Sequence, residues 1–217
     1  MTEAEWLACT DAQPLLSFLV GTASARKLRL IACGCCRQIW DRLTDERSRR
    51  AVEVAERFAD GLATSGDLLA ASHAAYDAAM AAASTHGPNW AAAGAAADTS
   101  NPEIARRVLG DGGAVSFAAY KAKSGRRLRQ CQVIWDIMGP LPFRPVAAEA
   151  AWLTWNGGMV TKLARGIYEE RAYDRLPVLA DALEEAGCAE AELLGHLRSA
   201  GPHVRGCWAL DLILGKG

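Results

Sequence analysis

Between Leu28 and Leu43 the apolar residues Leu28, Ile31, Ala32, Cys35, Ile39, Trp40 and Leu43 return every three or four positions. That period puts them on one face of an α-helix, because about 3.6 residues complete a turn. Arg26, Lys27, Arg29, Arg37 and Arg42 fall largely off the stripe. Similar periodicity recurs along the chain between Ser/Thr/Asp/Asn caps and Gly stops, and nowhere do β-branched residues alternate over the length of a strand. The expectation is an all-α, multi-helix globular bundle without a substantial sheet.

Local signals divide the helices. Thr44 is expected to cap "DERSRRAVEVAERFADG", and a cap within "TSGD" opens the Ala-rich "LLAASHAAYDAAMAAAST". Asn101 and Pro102 open "NPEIARRVLG", and "AVSFAAYKAKSGRRLRQCQVIWDIMG" reads as a longer helix. "GPLPFRPV" holds three of the eight prolines and excludes regular helix. It is the expected boundary between an N-terminal helical part, residues 1–139, and a C-terminal helical part, residues 140–217, packed as one compact unit. Beyond it Asn156 is the expected cap of "NGGMVTKLARGIYEER", Pro177 sits in the first turn of "DRLPVLADALEEAGC", and Gly187 stops that helix.

Composition narrows the function classes. With 217 residues and 51% hydrophobic content, the chain can bury a core without disulfides. Lys and Arg number 24 against 25 Asp and Glu, a net charge of -1 that gives no overall field to attract nucleic acid or anionic membrane. No run approaches the roughly 20 apolar residues of a membrane span, and the first residues lack a basic start followed by a long apolar run. A cytoplasmic location without membrane contact is expected. Seven Cys is an odd number, and three of them crowd into "CGCC", so reduced thiols are expected rather than a disulfide framework.

Chemistry-bearing residues concentrate in the closing "GPHVRGCWALDLILG". On a helix His203, Cys207 and Asp211 would each be offset by about 40° from the last and share one face. Two functional readings follow, beside the plain one of a His starting a helix, a small buried Cys next to Trp208, and a solvent-facing Asp. A metal, zinc for preference, could be held by His203 and Cys207 together with Cys33, Cys36, Cys188 or His196, since thiolate and imidazole are its usual ligands. A nucleophilic thiol at Cys207, near a helix start and one turn from His203, is the other. No motif decides whether the protein is an enzyme.

Other patterns point elsewhere. Lys121, Lys123, Arg126, Arg127 and Arg129 put five positive charges in nine residues, but successive positions face different sides of a helix and no aromatic residues interleave. A solvated face paired with the acidic "YEERAYDRLPVLADALEEAG" is expected there, and nucleic acid is a disfavoured partner. Trp152, Trp155, Phe143 and Arg144, around the proline segment, could line a groove for a protein partner.

The stretches "TEAEWLACTDAQPLLSFL", "RKLRLIACGCCRQIWDRLTDERSRRAVEVAERFADG", "PFRPV", "IYEERAYDRLPVLADALEEAGC" and "GPHVRGCWALDLILGK" resemble a family of paralogous planctomycete proteins. The likeness covers both ends of the chain and is weakest from about residue 63 to 115. It implies membership and no particular activity, cofactor or catalytic residue. "RLPVLADALEEAG" is also similar to a short helical module that accompanies repeat domains in the same bacteria, which implies an interaction role. The order of expectation is therefore a protein-interaction or accessory module, then a metal-binding helical protein, then a thiol enzyme centred on Cys207.

Overall fold

A computed structural model describes residues 1–84, 90–101, 125–140, 142–144 and 146–217. Among them are eleven α-helices, two single 3-10 turns and no strand. The helices are α1 (Glu3–Leu7), α2 (Ala12–Leu19), α3 (Ala25–Arg37), α4 (Glu46–Ala59), α5 (Ser65–Ser84), α6 (Trp90–Thr99), α7 (Gly125–Met138), α8 (Ala150–Glu170), α9 (Leu176–Glu185), α10 (Ala191–Leu197) and α11 (Trp208–Leu214). Residues 102–124, and with them the expected helix at "NPEIARRVLG", Lys121 and Lys123, lie outside the described residues. The chain divides into two compact units, Met1–Ile134 and Trp135–Gly217, so the division falls inside α7, a few residues before the proline segment.

Caps set most helix starts in the first unit. Thr2 and Glu5 exchange side-chain and backbone hydrogen bonds at α1, Ser24 Oγ accepts from Lys27 N at α3, and Thr64 and Asp67 form the same reciprocal box ahead of α5. Asp45, rather than Thr44, caps α4, its Oδ1 accepting from Arg47 N at 2.9 Å. An Asp there also sets a negative charge against the positive helix end, which a Thr hydroxyl does not.

α4 lies against α3, α5 and α6, and α3 also touches α6. With neighbours on two sides, α3 buries more than one stripe: Lys27 and Arg29 are buried as well as Leu28, Ile31 and Cys35. Arg29 is accommodated because its guanidinium donates to the carbonyls of Thr99, at 2.6 Å, and Asn101, at 3.0 Å, which the end of α6 leaves without helical donors. Arg37 pairs in a fork with Glu56 and stacks 3.9 Å from the Trp40 ring. Cys33, Cys35 and Cys36 are packed as small apolar side chains in this unit.

The second unit is built on α8, which packs against α9 and α11, while α10 touches both α9 and α11. Its core contains Trp152, Ile167, Tyr168, Leu179, Leu183, Leu197, Trp208 and Leu210. α8 is broken where the sequence reads "WNGG": Asn156, Gly157 and Gly158 all adopt left-handed backbone, with φ of 46, 66 and 79°. Asn156 thus breaks the helix from inside instead of capping its second arm, a role its tolerance of this region permits. Pro177 falls in the first turn of α9, and Gly187 follows its end with φ of 91°, as the spacing predicts.

Gly139 closes α7 with φ of +52°, and a Cβ there would lie 2.4 Å from the Trp208 ring. The backbone region is costly for a residue with a side chain, and the space is closed to one. Gly139→Ala should therefore destabilise the second unit by about 3 kcal/mol, from strain and overpacking together. Gly157→Ala meets nothing within 4 Å and carries only the backbone cost, about 1 kcal/mol. Chemical denaturation of the two variants checks this, and equal losses would remove the close approach as a constraint.

Candidate metal centre

Four side chains of the second unit converge: Asp136, His196, His203 and Cys207 each offer one ligand atom, and all four atoms lie within 4.8 Å of one another. Asp136 projects from the last turn of α7, and His196 from α10. His203 lies in the non-helical stretch between α10 and α11, and Cys207 occupies the N-cap position of α11. His203 is thus not on a helix with Cys207 and Asp211. The chain before Cys207 contains Gly201 and Pro202, which do not sustain a helix, and it loops the imidazole back toward the thiol. Asp211 is buried in α11 and is not a member of the cluster.

Asp136 is 4% exposed, and each of its oxygens is engaged. Oδ2 accepts from the backbone N–H of Val204 at 2.9 Å. Oδ1 lies 2.8 Å from His203 Nδ1 and 3.2 Å from His196 Nε2. His196 Nε2 is also 3.2 Å from Cys207 Sγ. The His196 ring packs edge-on to that of His203 and tilted against Trp208, the residue that Gly139 admits.

The proton count makes this arrangement informative. His203 Nε2 lies 3.2 Å from the Ser199 carbonyl oxygen and 3.4 Å from the Ser199 hydroxyl, and it carries the hydrogen in the tautomer that donates to the carbonyl. In a neutral ring Nδ1 is then the lone-pair nitrogen, and it faces an acceptor-only carboxylate oxygen at 2.8 Å. The other tautomer, an imidazolium, or a metal ion held between the two atoms each accommodates that separation. His196 Nε2 meets a carboxylate oxygen and a sulfur at equal distance, and a single N–H cannot satisfy both well.

The ionisation of the metal-free groups follows from burial and pairing. Burial alone would raise the Asp136 carboxyl, but hydrogen bonds and charge from His196 and His203 outweigh it and hold the group below the usual carboxylate range. Burial pulls His203 down, yet the Asp136 carboxylate and the Ser199 carbonyl leave it above the ordinary imidazole value. Burial, reinforced by Asp136, pushes the Cys207 thiol well above its usual value. A bound cation would reverse that last effect, since metals bind the thiolate.

Of the candidate ligands named from the sequence, His196, His203 and Cys207 come together. Cys188 is in the core of the second unit outside the cluster, while Cys33 and Cys36 belong to α3 in the first unit. Cys33 Sγ points to the Val52 carbonyl at 3.8 Å, and burial raises the Cys36 thiol well above its usual value. Asp136 is the residue that spacing misses. Its signal is a lone carboxylate inside the apolar run "VIWDIM", where an unpartnered charge would be costly.

The groove set is placed differently. Trp152 is 3% exposed in the core, Trp155 and Phe143 are half-buried, and exposed Arg144 pairs with Glu192 at 3.2 Å. Trp152 sits inside because the inward face of α8 carries it together with Val160 and Ala164. In the expected acidic face, Glu170 pairs with Arg175, and Asp181 and Glu184 pair with Arg198. Among the described helices none is long and apolar enough to cross a membrane.

In chelator the Asp136–His203 pair should give a stability window. The raised His203 value contributes fully below about pH 6.5 and is lost as pH rises through it, whereas the lowered Asp136 value contributes above about pH 4 and is lost as pH falls through it. Thermal melts of metal-free protein should peak in the mildly acidic range, and His203→Gln should remove the decline on the alkaline side. An unaltered profile in that variant would contradict the pairing. Compared with protein-family models, with curated proteins and with solved structures, the chain has no significant match to any of them.

Proposed function

We propose that this helical protein binds a divalent transition metal, zinc, through Asp136 Oδ1, His196 Nε2, His203 Nδ1 and Cys207 Sγ. The observation that carries the reading is the convergence of one carboxylate, two imidazoles and one thiol, whose ligand atoms lie within 4.8 Å of one another in a largely buried place. The Ser199 carbonyl, 3.2 Å from His203 Nε2, is placed to accept its hydrogen and so leave Nδ1 to a metal. In a tetrahedral zinc site the ligand atoms are about 3.3 Å apart for nitrogen and oxygen and about 3.6 Å for nitrogen and sulfur, given bonds of about 2.05 and 2.3 Å. The three shortest separations, 2.8, 3.2 and 3.2 Å, would expand slightly to reach them, and the wider pairs, which extend to 4.8 Å, would draw in on binding.

The donor set argues for zinc. Two imidazoles, one carboxylate and one thiolate suit a borderline ion, whereas magnesium and calcium take oxygen ligands almost alone. The thiol-enzyme reading loses support, because Cys207 is fully buried and its thiol is held protonated by burial unless a metal binds. The interaction role expected from the sequence loses Trp152 as a groove residue, and the metal reading takes its place as first choice.

Metal analysis of protein purified without an affinity tag should find one zinc per chain. Each of Asp136→Ala, His196→Ala, His203→Ala and Cys207→Ala should weaken zinc by about a hundredfold, one ligand's share of the roughly 12 kcal/mol typical of a four-ligand site. Cys33→Ser, Cys36→Ser and Cys188→Ser should leave zinc content unchanged. Loss of metal from these three with retention in the first four would overturn the ligand assignment.

A further inference from the structure

We infer that the metal shell is complete without water or substrate, so that the ion acts as a folding clamp on Trp135–Gly217 rather than as a Lewis acid. The inference rests on the metal reading above and adds to it the role of the ion. A hydrolytic zinc keeps three protein ligands and leaves the fourth position to water, whereas a structural zinc takes all four positions from protein. Here four protein atoms of suitable type converge. Asp136 offers Oδ1 to the ion while Oδ2 accepts from the Val204 amide at 2.9 Å, a contact that favours one bond from the carboxylate over two.

The surroundings close the remaining approaches. The side chains of Asp136 and His203 are 3% and 6% exposed, that of His196 is 18%, and Cys207 has no exposure. The rings of His203 and Trp208 flank His196 at 5.1 and 5.2 Å between centroids. The outer edge of His196 is therefore the only ligand surface that meets much solvent, and it is itself a ligand's ring.

The connectivity explains what a closed ion would do. Asp136 and His196 are 60 residues apart in sequence, and His203 and Cys207 belong to a third segment. α10 and α11 are seven residues each, about two turns, too short to persist by themselves in water. Residues 198–207 between them form no regular element. One ion bonded to all three segments closes a long loop and both short ones at once, and such binding free energy is folding free energy.

The test uses the full chain, with cobalt as the probe for coordination and limited proteolysis as the probe for folding. Cobalt-loaded protein should show the intense visible bands of a four-coordinate ion and thiolate charge transfer, and added azide should leave the spectrum unchanged. With zinc in excess at about 100 times its dissociation constant, cleavage within Trp135–Gly217 should slow by about a hundredfold relative to chelator, because cleavage follows the open population. Cleavage within α3 and α4 should not change. A spectrum that shifts with azide would reveal an open position and overturn the closed shell while leaving the metal reading intact. Equal cleavage with and without zinc would overturn the clamp, and failure to bind cobalt or zinc at all would remove the metal reading itself.

Discussion

The second unit depends on one buried carboxylate. Asp136 sits in the last turn of α7 between Ile134, Trp135, Ile137 and Met138, an apolar neighbourhood in which a lone charge would be expelled or neutralised. It is kept because the Val204 amide binds one oxygen and two imidazoles approach the other. Those contacts help fix the path of the chain between α10 and α11, where backbone hydrogen bonds are confined to its two ends. They also bring His196 and Cys207 within reach of the same point. Gly139, immediately after α7, then allows Trp208 to lie against the helix end, so the core packing and the side-chain cluster meet within a few residues of each other.

The elements readable in the sequence are those whose physics is local. Helical period, a cap within "TSGD", Pro177 in a first turn and Gly187 after a last one each involve neighbours within about one turn, and each stands as expected, the cap taking the form of a reciprocal box between Thr64 and Asp67. Where two local signals compete, the sequence does not rank them. Thr44 and Asp45 can both cap, and the Asp takes the position; Asn156 can cap or turn left-handed, and two following glycines decide for the turn. Arg29 illustrates a different limit. Its burial depends on the carbonyls of Thr99 and Asn101, 70 and 72 residues away, which no helical period reveals.

The side-chain cluster is legible in the same uneven way. His203 and Cys207 stand out as ligand types four residues apart, and His196 is close in sequence, yet the helix assumed to align them does not include His203. The pair meets through a loop, so the helix spacing that singled the two residues out is not what brings them together. Asp136 lies 60 residues upstream of His196 and within a helix, where nothing in spacing rules for ligands looks for it. Cys33 and Cys36 have a favourable ligand spacing but occupy the interior of α3, where burial makes them small apolar side chains. Residue type without a converging partner is chemistry without a site.

The central claim is that a zinc ion bonds one sulfur and three nitrogen or oxygen atoms at Asp136, His196, His203 and Cys207. X-ray absorption at the zinc edge of the purified full chain measures this most directly. The account predicts one sulfur at about 2.3 Å and three lighter ligands at about 2.0 to 2.1 Å, with the sulfur shell lost in Cys207→Ala. A shell of nitrogen and oxygen alone, or a sulfur contribution that persists in Cys207→Ala, would contradict it.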